Sequence, residues 1–306
     1  MSAKEYGVLF ALGSIWGASF MFIKVAGAEM QPFFLVETRL GLAALVMLLL
    51  SIWQPGTLSS MLANWRPIVV MGLINCAIPY TLITWGELYI NSGLAAIYNA
   101  CAPLWAGLLG LFWVWAERLT PGRTLGLLAG MAGVVLVVSS DLGTGGESSM
   151  QLAGQGAVLL AALSYALSGI FGRKMLRDVP VQATAAGQLV TGAIILLPFA
   201  LTQIPSSVPS LPAIASITTL SILGTAVASM MYYWLLSHVG STRTLLVTYL
   251  LPGFALVWGA LLLHESVTVM AVLGLLLILL GITITSGRGG EVLARLSRRQ
   301  KLGVTD

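Results

Sequence analysis

Ten apolar stretches, each close to the roughly 20 residues that cross a bilayer as a helix, follow one another along this chain. Only 8% of its 306 residues are charged, against about 25% in an ordinary soluble domain. A transmembrane barrel would instead show alternating segments of about 10 residues. The sequence therefore predicts an all-α membrane protein with ten transmembrane helices. The spans are predicted at about 5–27, 32–53, 67–86, 92–114, 122–140, 152–172, 180–201, 212–236, 242–263 and 267–286.

The basic residues mark one side of the membrane. Of the 15 Lys and Arg residues, all but Lys24 and Arg39 lie at the N-terminus, in alternate loops or in the tail after Gly287. Basic loops stay in the cytoplasm during insertion, so both termini are predicted to be cytoplasmic. No basic patch is interleaved with aromatic residues, which argues against nucleic acid as a partner. We expect a multi-pass protein of the bacterial inner (plasma) membrane, with its tail at the membrane surface.

The two halves of the chain repeat one another at an offset of 148 or 149 positions. The matching pairs are Trp16/Tyr165, Lys24/Arg173, Pro32/Pro180, Pro103/Pro252, Glu117/Glu265, Gly126/Gly274 and Gly133/Gly281. This register predicts one five-helix repeat at 1–143, a second at 151–287 and a basic cytoplasmic tail at 288–306. Because five is odd, the second repeat would have inverted topology, an arrangement typical of secondary transporters that open alternately to each side.

A set of short motifs lies within and between the predicted spans. They are Trp16-Gly17-Ala18-Ser19-Phe20, Arg39-Leu40-Gly41-Leu42-Ala43-Ala44, Trp85-Gly86-Glu87-Leu88, Ser92-Gly93-Leu94-Ala95-Ala96 and Glu117-Arg118-Leu119-Thr120, with a weaker second copy from Pro252 to His264-Glu265. Over about 5–286 the chain resembles the EamA family of the drug/metabolite transporter superfamily, and most of all its YddG-type branch of aromatic amino-acid exporters. The resemblance implies ten helices around a central cavity and the export of small organic solutes.

Catalytic and metal-binding patterns are missing from the sequence. There is no Gly-x-Ser-x-Gly motif, no Gly-rich phosphate-binding loop and no second His placed after His264-Glu265. Cys76 and Cys101 lie inside apolar spans and are expected to pack as small residues. We therefore predict a protein that is not an enzyme and uses no cofactor or metal. Its expected partners are a small-molecule substrate and the lipid bilayer, with the chain acting as a monomer or a homodimer.

Polar and aromatic residues at mid-membrane depth are the best candidates for a binding site. A ring with a polar tip can contact an apolar group while its tip bonds a carboxylate or an amine. The alternative for any single Ser or Thr is a hydroxyl bonded to its own helix. The candidate substrate-binding residues are Tyr80, Thr84, Tyr98, Asn99, Trp105, Tyr165, Ser229, Tyr232, Thr248 and Tyr249.

Three prolines are predicted to interrupt helices. Pro103 and Pro252 fall near the middle of the fourth and ninth spans, and Pro79 falls in the third. A proline in the middle of a helix removes one backbone hydrogen bond and kinks the helix. Each proline is therefore either a static kink or a hinge for alternating access.

Few charges lie inside the predicted spans. Lys24, Glu37 and Arg39 lie towards the same end of the first two spans, where we expect an ion pair or contact with the interface; proton coupling through Glu37 is the alternative. The spans offer no cluster of positive charge for a multiply anionic solute, which favours a neutral or zwitterionic one. Glu117 and Glu265, at equivalent ends of the fourth and ninth spans, are expected to cap or fix loops.

These observations favour an exporter of amino acids, aromatic and other neutral ones, that works by alternating access. Two alternatives stay open. One is a broad exporter of amphipathic metabolites or drugs, and the other is a non-transporting membrane receptor or assembly factor. Uniport and proton-coupled export are both compatible with the sequence.

Overall fold

The computed structural model describes residues 1–112, 121–142 and 149–285, and every regular element in these ranges is a helix. The α-helices before residue 145 are α1 (Ala3–Gly27), α2 (Pro32–Ile52), α3 (Thr57–Ala63), α4 (Trp65–Met71), α5 (Ile78–Gly86), α6 (Ser92–Asn99), α7 (Ala102–Phe112) and α8 (Pro121–Leu142). Those after it are α9 (Ser149–Met175), α10 (Val181–Ala200), α11 (Leu211–Ser221), α12 (Ala228–Thr244), α13 (Val247–Leu262) and α14 (Val269–Thr285). Two π-helical segments, Gly72–Ala77 and Ile222–Val227, and a 3₁₀ turn at Leu201–Gln203 complete the described elements.

Seven runs of described helix are long and apolar enough to cross a membrane. They are Ala3–Gly27, Pro32–Ile52, Trp65–Gly86, Ser92–Gly110, Ser149–Met175, Val181–Gln203 and Leu211–Gly240. Three shorter apolar helices follow the same pattern at Thr124–Val138, Val247–Leu262 and Val269–Thr285. The predicted class, an all-helical multi-pass membrane protein, is therefore confirmed for the described residues.

Helix boundaries follow the local sequence. Ser2 caps α1, because its Oγ accepts from the Glu5 backbone N–H while the Glu5 carboxylate accepts from the Ser2 N–H at 2.6 Å. Pro32 opens α2 at a position where its missing N–H costs no helical hydrogen bond. Ser210 caps α11 in the same way as Ser2, with its Oγ accepting from the backbone N–H of Ala213.

The fourth predicted span is divided. Because α6 ends at Asn99 and α7 begins at Ala102, Pro103 lies in the first turn of a new helix. Pro103 still lies near the middle of the apolar run Ser92–Gly110, and the helix is interrupted just before it. A first-turn proline loses no hydrogen bond, since N–H groups there have no helical partner. Pro252, by contrast, lies inside α13 as predicted.

The third and eighth predicted spans each contain one of the π-helical segments. The first segment ends just before Pro79, in the opening turn of α5, and this proline cannot donate a hydrogen bond to the turn that precedes it. The second segment contains Gly224, where a Cβ would lie 2.9 Å from Ser19 Oγ on α1. Neither wide turn is predicted by the apolar pattern, because a π turn leaves length and composition unchanged.

Contacts group the chain into two units, each drawing on both predicted repeats. The larger unit, residues 1–100 and 147–267, contains α1 to α6 and α9 to α13. Its helices approach closely at glycines: a Cβ on Gly17 would lie 2.9 Å from the Ala255 nitrogen of α13. Similarly, a Cβ on Gly86 of α5 would lie 2.8 Å from the Gly154 carbonyl oxygen of α9. These approaches position the polar side chains described below.

The smaller unit, residues 101–146 and 268–306, contains α7, α8 and α14. Here α8 and α14 pack against each other through glycines. A Cβ on Gly281 would lie 2.5 Å from the Gly130 nitrogen, and one on Gly133 would lie 2.7 Å from the Gly274 carbonyl oxygen. Small residues at this spacing allow two membrane helices to approach backbone to backbone.

Candidate functional site

Arg39, on α2, is a buried cation with few partners. Only 7% of its surface is exposed. Its Nε donates to the Thr225 hydroxyl at 2.9 Å, and its guanidinium carbon lies 4.0 Å from the centre of the Tyr80 ring. Among the residues that the structure describes, no carboxylate pairs with this guanidinium, and no second hydrogen bond is made by it. Four of its five N–H donors thus remain available to an anion.

The two π-helical segments bring these partners to Arg39. Thr225 lies inside the second segment, and its hydroxyl also donates to the Leu220 carbonyl five residues earlier. Tyr80 follows the first segment by three residues. A π turn inserts an extra residue into a helix and is found disproportionately at functional sites. The contact between Arg39 and Thr225 therefore depends on a local departure from α-helical geometry.

Three further tyrosines lie around Arg39 and Tyr80. Tyr165 on α9 is close enough to Tyr80 and Arg39 to interact with them electrostatically. Tyr233 on α12 reaches Tyr80 and Tyr232 in the same way, and the rings of Tyr232 and Tyr233 lie 5.6 Å apart. We call these residues the Arg39 cluster: Arg39, Tyr80, Tyr165, Thr225, Tyr232 and Tyr233. It contains three of the predicted substrate-binding residues, Tyr80, Tyr165 and Tyr232.

Two further aromatic and polar residues adjoin the cluster. Trp16 on α1 lies 5.6 Å from the ring of Tyr232. Thr84 lies one turn after Tyr80 on α5, so the two share a face of that helix. The Thr84 hydroxyl is buried and has no hydrogen-bond partner among the described residues. Thr84, another predicted binding residue, therefore offers a free polar group near Tyr80.

A second polar network lies on the related helices and escaped the sequence analysis. The Asn75 side-chain nitrogen donates to Gln188 Oε1 at 2.9 Å, and the Ser168 hydroxyl donates to Asn75 Oδ1 at 2.7 Å. Gln188 on α10 follows Arg39 by 149 positions, which is the offset of the predicted repeat. Arg39 thus contacts the second π-helical segment, while Gln188 contacts the first. Applying the repeat offset to Arg39 would have indicated Gln188.

Two predicted hydroxyl residues bond to their own helices. The Ser229 hydroxyl donates to the Thr225 carbonyl at 2.6 Å, and the Thr248 hydroxyl donates to the Leu245 carbonyl at 2.7 Å. This is the packing role that the sequence analysis gave as the alternative for single Ser and Thr residues. Ser229 still adjoins the cluster, because the carbonyl it bonds belongs to Thr225.

The remaining predicted residues occupy other parts of the chain. Tyr98 is fully buried in α6, whereas Asn99 and Tyr249 are half-buried. Asn99 Oδ1 has no hydrogen-bond partner within the described residues. Trp105 belongs to α7 in the smaller unit. The predicted binding set is thus only partly brought together by the larger unit.

Lys24, Glu37 and Arg39 do not form the expected ion pair. Lys24 Nζ instead donates to the backbone carbonyls of Glu87 and Ile90, at 2.8 Å for the latter. Glu37 is half-buried, and no hydrogen bond or salt bridge of its side chain is found in the ranges that the structure describes. The three residues therefore do not pair with one another. Lys24 bonds the chain at the end of α5, and Arg39 lies against Thr225 and Tyr80.

Glu265 caps the N-terminus of α6, as the sequence analysis expects. Its carboxylate accepts from the Ser92 N–H at 2.9 Å, the Ser92 hydroxyl at 2.8 Å and the Gly93 N–H at 3.2 Å. His264 takes a left-handed conformation (φ 54°) that turns the chain after α13 towards α6. We call Glu265, Ser92 and Gly93 the Glu265 clamp. Glu117, its predicted counterpart in the first repeat, lies outside the described residues.

A second carboxylate caps another helix between spans. Glu29, between α1 and α2, accepts from the backbone N–H of Ser210 at 2.6 Å and from its hydroxyl. The hydroxyl donor, followed by the N–H donor, holds the pKa of Glu29 below its usual range. In the described part of the chain, no three His, Cys, Asp or Glu residues form a group that could hold a metal ion.

Comparisons with known proteins identify transporters over most of the chain. The EamA-like transporter family matches residues 4–139 and 152–287. The uncharacterised transporter YoaV of Bacillus subtilis is 25% identical over 88% of this chain and 91% of its own. The uncharacterised inner membrane transporter YedA of Escherichia coli K12 is 25% identical over 83% of this chain and 81% of its own. A crystal structure with 17% identity covers 95% of this chain and 99% of that one with a TM-score of 0.66, so the fold is shared.

Proposed function

Because the chain belongs to the EamA-like transporter family, we propose that it exports amino acids, aromatic and other neutral ones, across the inner membrane by alternating access. The observation that carries the choice of solute is the guanidinium of Arg39, which is buried beside the Tyr80 ring and has no carboxylate partner among the described residues. An isolated buried charge is costly, so a bound anion would stabilise this arrangement.

An amino acid matches the Arg39 cluster in charge and shape. A carboxylate accepts two parallel hydrogen bonds from a guanidinium, a geometry that lysine cannot offer. One cation balances one carboxylate, whereas a phosphate ester or nucleotide would bring more negative charge than the cluster can neutralise. The rings of Tyr80, Tyr165 and Tyr232 supply contact area for an apolar or aromatic side chain.

We further propose that ten membrane helices form two inverted five-helix repeats, at 1–143 and 151–287. The family match to two successive segments of this chain supports this arrangement. The π-helical segments, which begin 150 positions apart, support it as well. The contacts of Arg39 with Thr225 and of Gln188 with Asn75 support it too, because Arg39 and Gln188 are related by the repeat offset.

A difference between the repeats supports alternating access. Lys24, at the end of α1, bonds two carbonyls at the end of α5. Arg173, its repeat partner at the end of α9, is exposed and makes no hydrogen bond to the described residues. Two inverted repeats in different conformations close one end of a transporter and release the other. Under the predicted orientation, the Lys24 end faces the exterior and is the closed one.

The test is flux in proteoliposomes with the purified full chain. The probes are phenylalanine, phenylalaninamide (whose neutral amide replaces the carboxylate), one sugar phosphate and one lipophilic cation. We expect saturable phenylalanine flux and far slower flux of the amide. Arg39→Gln should weaken phenylalanine uptake about 10- to 100-fold, as expected for losing hydrogen bonds to a charged group. The matched control is Arg66→Gln, since Arg66 is exposed and also lies over an aromatic ring, that of Trp65.

Each of the other outcomes would indicate a different function for this chain. Equal flux of phenylalanine and its amide, unaffected by Arg39→Gln, would remove the carboxylate from the recognition mechanism. Flux of the lipophilic cation alone would indicate a broad exporter of amphipathic metabolites or drugs. Absence of flux for every probe would favour a non-transporting receptor or assembly factor.

A further inference from the structure

Glu87 is a buried carboxyl group that no contact described so far explains. It follows directly on α5, and only 1% of its surface is exposed. Neither of its carboxyl oxygens has a hydrogen-bond partner among the described residues. An ionised carboxylate in such surroundings would cost several kcal/mol, whereas the neutral acid avoids most of that cost. The geometry therefore favours the protonated form of Glu87 in this conformation.

The charged groups around Glu87 come from three elements. Lys24 on α1, Glu265 after α13 and Arg39 on α2 are near enough to act on it electrostatically. The helix α9, which also packs against α5, carries no charged residue except Arg173 and Lys174 at its far end. His264 precedes Glu265, but its side chain is exposed. Glu87 thus faces one carboxylate and two cations.

Loss of a proton from Glu87 would act on two contacts at once. The new negative charge would repel the carboxylate of Glu265, which holds Ser92 and Gly93 five and six residues further along the chain. It would also attract Lys24, which now bonds the backbone carbonyl of Glu87 itself. The repulsion weakens the hold of Glu265 on the N-terminus of α6, whereas the attraction draws Lys24 Nζ from the backbone carbonyls of Glu87 and Ile90 towards the Glu87 carboxylate.

We propose that Glu87 is the proton-binding carboxyl of this transporter and that its proton keeps the Glu265 clamp closed. The site assigned to proton coupling thus moves from Glu37, the carboxylate considered from the sequence, to Glu87. This inference deepens the proposed function and rests on it for its role in transport, where protonation favours the conformation closed at the Lys24 end. The clamp itself can be tested without any transported solute.

The experiment is hydrogen exchange, read by mass spectrometry, on the full chain in lipid nanodiscs over a series of pH values. The reporter is the peptide 88–99, which contains the N-terminus of α6. Glu87→Gln keeps the shape of the neutral acid and cannot ionise. The ratio of wild-type to Glu87→Gln exchange at each pH removes the intrinsic pH dependence of amide exchange. We expect a ratio near 1 at low pH that rises about tenfold or more once Glu87 ionises.

Two further variants make the result specific. Glu265→Gln should speed exchange of this peptide at low pH, because the clamp loses its charge. Glu29→Gln is the matched control: it removes a carboxylate that caps α11, so the 88–99 ratio should follow the wild type. A ratio that stays near 1 at every pH overturns the proposal. The proposal is also overturned if Glu37→Gln loses the pH dependence of exchange and Glu87→Gln keeps it. Missing amino-acid flux would refute the proposed function while leaving this result intact.

Discussion

Gly259 shows how single atoms set the geometry of the Glu265 clamp. A Cβ at this position of α13 would lie 2.6 Å from Glu265 Oε2 and 3.0 Å from Ser92 Oγ. The Glu265 backbone N–H donates to the carbonyl of Gly259, so the turn and the clamp share one residue. Only glycine leaves room for the carboxylate to reach both donors of Ser92. The clamp therefore depends on a missing side chain as much as on the charge of Glu265.

Gly259→Ala is expected to displace the Glu265 carboxylate and lower the free energy of unfolding by about 1–3 kcal/mol. The control is Gly253→Ala on the same helix, where a Cβ meets no atom within 4 Å. That change should be neutral or slightly stabilising, since alanine favours helices by about 0.5–1 kcal/mol over glycine. Thermal unfolding in detergent measures both. Equal melting temperatures for the two variants would contradict this view of the clamp.

At the scale of helices, the prolines have unequal positions despite their symmetric spacing in the sequence. Pro252 lies inside α13, where it leaves a carbonyl without its helical donor. Pro103 lies in the first turn of α7, where no such loss occurs, whereas Pro79 directly follows the first π-helical segment and cannot donate to the turn before it. A hinge needs a helix that can bend without losing further hydrogen bonds, which Pro252 provides inside α13 and Pro103, at the start of α7, does not.

Pro252→Ala is expected to slow transport more than it weakens solute binding, because it restores a backbone hydrogen bond and stiffens α13. Pro103→Ala should have the smaller effect of the two. Pro198→Ala serves as the control, since Pro198 also lies inside a helix but is exposed near its end. Transport rate and binding affinity are measured on the same preparations. If Pro252→Ala reduces rate and affinity equally, the residue shapes the site and is not a hinge.

For the whole molecule, orientation in the membrane follows from charge. Basic residues lie in alternate connections between the spans. The connection after α2 leads to Arg66, whereas the connection after α10 carries no basic residue. The first should remain in the cytoplasm and the second should reach the exterior. Ser59, on the short helix α3 between α2 and α4, and Ser206, after α10, are both exposed, and the native cysteines Cys76 and Cys101 are buried.

Ser206→Cys is therefore expected to react with a membrane-impermeant maleimide in intact cells. Ser59→Cys should react only after the membrane is broken, and the unmodified chain should react in neither case. The readout is the mass shift of the purified protein. Labelling of Ser59→Cys but not Ser206→Cys in intact cells would reverse the predicted orientation, and the Lys24 end would then face the cytoplasm.

Part of the candidate site could be predicted from residue type and depth alone. Tyr80, Tyr165 and Tyr232 were selected because a ring with a polar tip at mid-membrane depth suits an amphipathic solute, and all three lie in the Arg39 cluster. Arg39 was noticed for its charge, yet its partner Thr225 was not. Glu87 appeared only as part of a motif, because its burial depends on helices that are distant in the sequence.

The sequence by itself determined that this chain folds into apolar membrane helices. In lipid every backbone polar group must bond within its own segment, so length and apolarity suffice to predict a helix. Only the tertiary structure decided that Arg39 meets Thr225, 186 positions away, and that Glu265 meets Ser92, 173 positions away. Such contacts depend on which helix faces approach each other, and close packing at glycines such as Gly17 and Gly86 sets those faces.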